Sequence, residues 1–298
     1  MGDGAAAFVT GGGGFAGRHL LARIPDAVAP GRDELDLLDA EAVRAALRRA
    51  RPGAVFHLAA LASVGRSWES PAETLTGNVA MTVNVLDAVR SEVPEAAVVV
   101  ASSGEVYGPP ERLPVTEDAP LRPQNPYATS KAACDLLAGQ YADAYDMRVV
   151  RTRAFNHAGP GQGAEYVVGT LTRQVAEAEA AGAAEVVLRT GNPDSARDFT
   201  DVRDVVHAYA AAAELPAGVY NVCSGRATSV RELVELVRRA TALDVRHDVD
   251  PERVRAHDVP EVRGSAERLQ AACGWKPVIP MEQTVGEALE AWRSALRT

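Results

Sequence analysis

Apolar positions along this chain fall in short dense runs separated by longer amphipathic stretches. Ala5–Thr10, Ala54–Ala60 and Ala96–Ala101 are near-continuous apolar runs, the pattern of strands covered on both faces. Asp26–Pro30 and Leu35–Leu37 read as two further short strands, and Arg148–Phe155 as the sixth. Residues 18–24, 40–50 and 72–92 read as the intervening helices. Repeated strand–helix pairs of this length predict an α/β fold built on a Rossmann-type, doubly wound parallel sheet. Beyond residue 156 the alternation loosens. A helix is expected over Tyr166–Ala181, a strand over Val186–Arg189, a loop at Arg197-Asp198-Phe199 and a returning strand over Gly218–Cys223. Leu233, Leu236 and Val237 recur at helical spacing, so Leu233–Ala240 is an amphipathic helix. A smaller C-terminal α/β unit closing over the sheet's crevice follows from that irregularity.

The first strand runs into Gly11-Gly12-Gly13-Gly14-Phe15-Ala16-Gly17 and then into a helix. Strand, glycine turn and helix in this order form a phosphate cradle. Glycines at 11, 14 and 17 let the backbone approach a pyrophosphate at the positive helix end, and Gly17 permits close helix–strand packing. Roughly 20 residues later, where an adenosine ribose is read, stands Gly31-Arg32-Asp33-Glu34. An acidic group there suits a free 2′-hydroxyl, and a guanidinium suits a 2′-phosphate. Arg32 is the first polar side chain past the strand, which favours NADP(H) over NAD(H); Asp33 beside it keeps the other choice open. Asp36 is a candidate for the adenine edge, and His57 is expected to be a core histidine.

Asn125-Pro126-Tyr127-Ala128-Thr129-Ser130-Lys131 carries the candidate chemistry. Asn125 is a favourable N-cap and Pro126 suits the first helical position, so a helix starts here. Tyr127 and Lys131 then share a face at i, i+4. A phenol titrates near pH ~10, and a neighbouring ammonium with the positive helix end would draw it toward neutrality. Only two lysines, Lys131 and Lys276, occur in 298 residues, which makes this one unlike filler.

Composition narrows the classes. With 47% hydrophobic and 24% charged residues the chain is an ordinary soluble globular protein, and 5% aromatics leave the core to Val, Leu and Ala. A net charge of −9 argues against a general nucleic-acid or anionic-membrane surface, although local phosphate binding stays open. Cys134, Cys223 and Cys273 form no C-x-x-C and read as reduced thiols of a cytoplasmic protein. No run approaches the ~20 apolar residues of a membrane span, and no cluster has metal-ligand spacing, so neither membrane nor metal is expected.

Together, the glycine pattern at Gly11–Gly17, Ser-Ser-Gly-Glu-Val-Tyr-Gly at 102–108 and Tyr-x-x-x-Lys at 127–131 resemble the extended short-chain dehydrogenase/reductase family. FNHAGPGQ from Phe155, RDFTDVRDVV from Arg197 and GVYNVCSG from Gly218 are similar to its nucleotide-sugar-modifying members, in the family's order over nearly the whole chain. The resemblance implies a nucleotide-diphosphate sugar substrate and NAD(P)H-dependent reduction of a 4-keto-6-deoxy hexose, best matched by a GDP-linked one. Its alternative is 4-epimerisation or 4,6-dehydration on tightly held NAD(P). A non-catalytic cofactor-sensing relative would be expected to lack Tyr127 or Lys131. By the same resemblance Tyr127 is the acid–base, Lys131 holds the nicotinamide ribose and lowers the Tyr127 pKa, and Ser103 bonds the reacting oxygen. Gly11, Gly14, Phe15, Gly17, Arg32, Asp36, Leu37 and Ala59 would line the cofactor. Glu105, Asn156, Arg197, Arg255 and Asp258 would bind substrate; Ala256 departs from the family's R-P-x-D. Dehydratases of this kind carry a hydroxyl or acid before the Glu, where this chain has Gly104. Fucose synthases carry Cys where Glu105 stands. Both departures favour simple reduction. Residues 1–156 with about 196–223 would bind the dinucleotide, and 157–195 with 224–298 the sugar nucleotide. The helices near 72–92 and 126–145 would pair in a homodimer.

Overall fold

The computed structural model describes residues 6–251, 254 and 259–297, so the expected substrate contacts Arg255 and Asp258 fall outside the described residues. Strand β1 (Ala7–Thr10) leads through the glycine turn into α1 (Phe15–Arg23), and α2 (Ala40–Ala50) into β2 (Ala54–His57). Next come α3 (Val64–Glu69), α4 (Pro71–Glu92), β3 (Ala97–Ser103), a 3-10 turn at Gly104–Tyr107, α5 (Pro126–Tyr145) and β4 (Val149–Ala154). Beyond them lie β5 (Asn156–Ala158), α6 (Val167–Ala180), β6 (Glu185–Thr190), β7 (Ala196–Asp201), α7 (Val202–Ala212) and β8 (Gly218–Val222). The chain closes with β9 (Ala227–Ser229), α8 (Val230–Arg239), β10 (Asp244–Val249), β11 (Glu261–Val262), α9 (Glu267–Cys273) and α10 (Met281–Ala295).

The main sheet runs β1-β2-β3-β4-β8, parallel at every pairing. Its double winding is written in the period-two alternation of β3. Val98 and Val100 enter one core with Val43, Leu47, Val55 and Leu86, under α2, α4 and α5. Val99 and Ala101 enter the other with Leu20, Phe56 and Val205, under α1 and α7. A third core holds Leu171, Leu188, Leu233, Val285 and Leu289 between α6, α8, α10 and the parallel pair β6–β10.

Three expectations change. Asp26–Pro30 makes a single parallel bridge, Val28 to Phe8, because Pro30 has no N–H to extend the ladder and Gly31 turns the chain. Leu35–Leu37 forms no strand; both leucines are buried, but the Asp36 carboxylate accepts from Leu38 N at 2.9 Å and holds the backbone in a local turn. Arg197-Asp198-Phe199 is not a loop but part of β7, parallel to β5 and β11 and antiparallel to β9. Charged residues fit that strand because tertiary partners satisfy them. The Asp198 carboxylate, 1% exposed, accepts from Ser224 N and Oγ, Gly225 N and Gly264 N.

Candidate active site

All five strands of a parallel sheet end on one side, and the crevice beyond those ends is where such folds hold ligands. At the end of β1, Gly11 has φ +74°, a left-handed conformation, and a Cβ there would stand 2.7 Å from Ala59 N. A Cβ on Gly17 would meet Gly11 O at 2.1 Å, so helix and turn close only around glycine. Gly13, by contrast, has nothing within 4 Å of an added Cβ. Bare backbone facing open space at a helix N-terminus fits the pyrophosphate of a dinucleotide. Phe15 opens α1 and stacks on His157 with ring centroids 5.8 Å apart, while His19 Nε2 reaches Pro160 O at 2.9 Å. These contacts tie the cradle to the segment after β5. Arg32 is exposed, with no carboxylate partner among the described residues.

At the end of β3, the Ser103 hydroxyl accepts from Glu105 N at 3.2 Å and caps the 3-10 turn. Asn125 caps α5, its Oδ1 accepting from Ala128 N at 2.7 Å, with Pro126 at the first position as the sequence suggested. Its Nδ2 donates to Glu105 Oε2 at 3.3 Å, so one amide fixes both the helix start and the acid. Tyr127 follows half-buried in the first turn, with the Ser103 hydroxyl near enough to act on its phenol. Lys131, one turn on, is 6% exposed. The fold thus brings together Ser103, Glu105, Tyr127 and Lys131.

Their electrostatics differ from the sequence expectation. Burial raises the Tyr127 pKa; the Ser103 hydroxyl opposes this, and Tyr166 and Glu105 add to the rise. The protein groups therefore hold the phenol protonated, rather than drawn toward neutrality by Lys131. Burial likewise lowers the Lys131 pKa, against Cys134 and Asp135 on its own helix. His57 is a core histidine: Nδ1 pairs with Thr10 Oγ1 at 2.8 Å and Nε2 with Thr82 Oγ1 at 3.2 Å. Burial, then Lys131, push its pKa down to about 3.

Among the expected substrate contacts, Asn156 is exposed at the start of β5. Arg197 donates to Ala196 O at 2.9 Å and Val259 O at 2.8 Å, which ties it to backbone. A cavity of about 570 Å³ between α8 and the segment before α10, lined by Thr200, Ser224, Arg239 and Met281, holds none of the expected site residues. Three groups escaped the sequence reading. Tyr166 stands at the N-terminal boundary of α6 and acts on the Tyr127 phenol, whereas Asp135, one turn past Lys131, and Arg153 form a buried ion pair. The only signals were an acid four residues after Lys131 and an arginine inside a strand.

A parallel sheet with a glycine cradle at one strand end and a Tyr-x-x-x-Lys helix beside another defines an extended short-chain dehydrogenase/reductase. The chain belongs to the GDP-mannose 4,6-dehydratase family, whose sequence model matches residues 33–288. It is 38% identical to GDP-6-deoxy-D-mannose reductase of Pseudomonas aeruginosa, over 97% of this chain and 98% of that one. The solved structure of RMD from Pseudomonas aeruginosa complexed with NADPH superposes with a TM-score of 0.89 at 36% identity, covering 97% of this chain and 99% of that. UDP-glucose 4-epimerase of Thermotoga maritima, solved with UDP-glucose, superposes at 0.87 with 26% identity over 97% and 99% of the two chains. No helix among the described residues is long and apolar enough to cross a membrane.

Proposed function

We propose that the protein reduces the C4 ketone of a GDP-linked 4-keto-6-deoxy hexose, GDP-4-keto-6-deoxymannose by best match. The cofactor is NADPH, which when bound supplies the hydride to C4. Gly11, Gly14, Phe15 and Gly17 hold its pyrophosphate, Asp36, Leu37 and Ala59 its adenosine half, and Arg32 its 2′-phosphate. Tyr127 gives its proton to the former carbonyl oxygen, which Ser103 holds by a second hydrogen bond. A phenol kept protonated by burial suits this direction of transfer. Lys131 binds the cofactor ribose and carries positive charge next to the reacting oxygen. Glu105, Asn156 and Arg197, with Arg255 and Asp258, bind the sugar nucleotide, using guanidinium groups for the diphosphate. Residues 1–156 with about 196–223 serve the dinucleotide and the remainder the sugar nucleotide; the chain works as a cytoplasmic homodimer joined through α4 and α5.

Position 104 carries the choice of reduction over dehydration. This chain has no side chain there to assist loss of the C6 hydroxyl, and a Cβ on Gly104 would stand 3.0 Å from the Phe155 ring, which would have to shift by a few tenths of an ångström to admit one. Likeness to the epimerase keeps one rival, in which the nucleotide stays bound and is restored each cycle. Incubating the protein with NADPH and GDP-4-keto-6-deoxymannose separates them. One NADPH should be oxidised per sugar reduced, whereas conversion of a sugar nucleotide without NADPH loss would establish the rival. Tyr127→Phe should lower kcat by roughly 100-fold or more. Full activity in that variant would remove Tyr127 from the mechanism.

A further inference from the structure

Tyr127, Lys131, Asp135 and Gly139 recur at four-residue intervals along α5 and so line one helix face. The last three are buried. The Asp135 side chain has no exposure, and Arg153 on β4 grips it with two bonds, Nε to Oδ2 at 2.9 Å and Nη2 to Oδ1 at 2.8 Å. The third guanidinium nitrogen, Nη1, donates to Tyr107 Oη at 3.0 Å and Glu117 O at 3.1 Å, and Tyr107 donates to Asn221 Oδ1 at 2.7 Å. Arg151 adds a longer contact, Nη1 to Asp135 Oδ1 at 3.5 Å. Gly139 makes that reach possible, since a Cβ there would lie 2.6 Å from Arg151 Nη1.

A buried ion pair is a poor source of net stability, because desolvation offsets most of its attraction. Its place one turn past Lys131 points to another use. We propose that Asp135 is a positioning residue for Lys131: clamped by Arg153 one turn beyond the lysine, its carboxylate is the counter-charge that keeps the buried ammonium protonated. The inference rests on the reading of Tyr127 and Lys131 given above.

The surroundings of Lys131 make a counter-charge necessary. From β2 comes His57, neutral at working pH and repelled when charged; from α5 come Tyr127, Cys134 and Asp135. Helix α4 offers only the neutral Asn78 and Thr82 here, with Asp87 farther along bonded to Tyr141. Burial raises the Cys134 thiol, so it stays protonated. Burial would raise the Asp135 carboxyl as well, but Arg153 outweighs it and holds the group below the ordinary carboxylate range. Glu105, on the 3-10 turn packed against the start of α5, is exposed and bonded to Asn125, so Asp135 is the buried ionised acid in this set, and Arg153 keeps it so.

The test is the alkaline limb of kcat/KM for ketone reduction, which reads the loss of the proton from Tyr127 or Lys131. The double variant Asp135→Asn/Arg153→Gln removes both charges of the buried pair while keeping an amide at each end of it. Loss of the carboxylate weakens proton binding at Lys131, and loss of the Arg153 charge, which acts on Asp135 rather than directly on the ammonium, offsets only part of this, so the limb should move down by about half a pH unit. Arg151→Met, at the half-buried edge of the cluster, leaves Asp135 less neutralised and should move it up by about half a unit. A cofactor-induced rise in melting temperature verifies that each variant is folded. If the double variant does not fold, Arg151→Met decides alone. Profiles unmoved in the folded variants, or moved in the opposite directions, overturn the inference. That failure is separate from full activity in Tyr127→Phe, which would instead refute the proton-donor reading.

Discussion

A histidine buried beside a lysine is informative at the scale of one residue, because its protonation is coupled to folding. His57 is accommodated neutral, bonded to two threonine hydroxyls, and its pKa is pushed down to about 3. In the unfolded chain it titrates near pH 6.5. Below that value the unfolded state binds a proton that the folded state refuses, so stability is full above pH ~6.5 and falls as pH drops toward the folded value. The loss should be about 1.4 kcal/mol per pH unit in that window. Urea unfolding at pH 7 and pH 5 should show a smaller decrease for His57→Gln than for the parent. Equal decreases would mean the ring is not held neutral. Sequence placed His57 in a core strand correctly, but its two hydroxyl partners stand 47 and 25 residues away and only the fold names them.

At the scale of an element, α5 is the piece on which the proposed chemistry depends. Its start is local: Asn125, Pro126 and the N–H of Ala128 suffice, and the sequence shows all three. What is not local is the second bond of the same amide to Glu105 at the far end of the Pro-rich loop. Replacing Asn125 with Ala should cost about 1 kcal/mol of stability through the lost cap. It should also reduce kcat by more than that loss of folded protein explains, because Tyr127 sits two residues from the freed cap. Denaturation and steady-state rates measured together check this; a normal kcat in fully folded variant would uncouple the cap from the site. The misread of β7 belongs to this scale too. A stretch reading Arg-Asp-Phe-Thr-Asp resembles a loop until Ser224, Gly225 and Gly264 supply donors for Asp198.

Across the whole molecule, α4 and α5 pack on each other over the outer layer of the sheet and leave apolar side chains uncovered. Leu136 is 55% exposed on α5, and Leu75 is 38% exposed on α4. Burying such side chains in a self-complementary contact is the proposed basis of the homodimer. Leu136→Glu should halve the mass seen by sedimentation while leaving the melting of each protomer nearly unchanged. A parent protein already monomeric at assay concentration would remove the dimer from the proposal.

The sequence by itself determined the sheet class, the glycine cradle and the pairing of Tyr127 with Lys131. Each depends on neighbours within a few positions: a strand feeding a glycine turn, a cap opening a helix, two side chains one turn apart. Tertiary structure decided the rest. It reduced Asp26–Pro30 to one bridge, raised the Tyr127 pKa by burial where a local reading expected a fall, set the Phe155 ring against Gly104, and placed Arg153 on Asp135 to hold it ionised. Desolvation and ion pairing depend on which distant segments converge, and that convergence appears only once the strands are ordered.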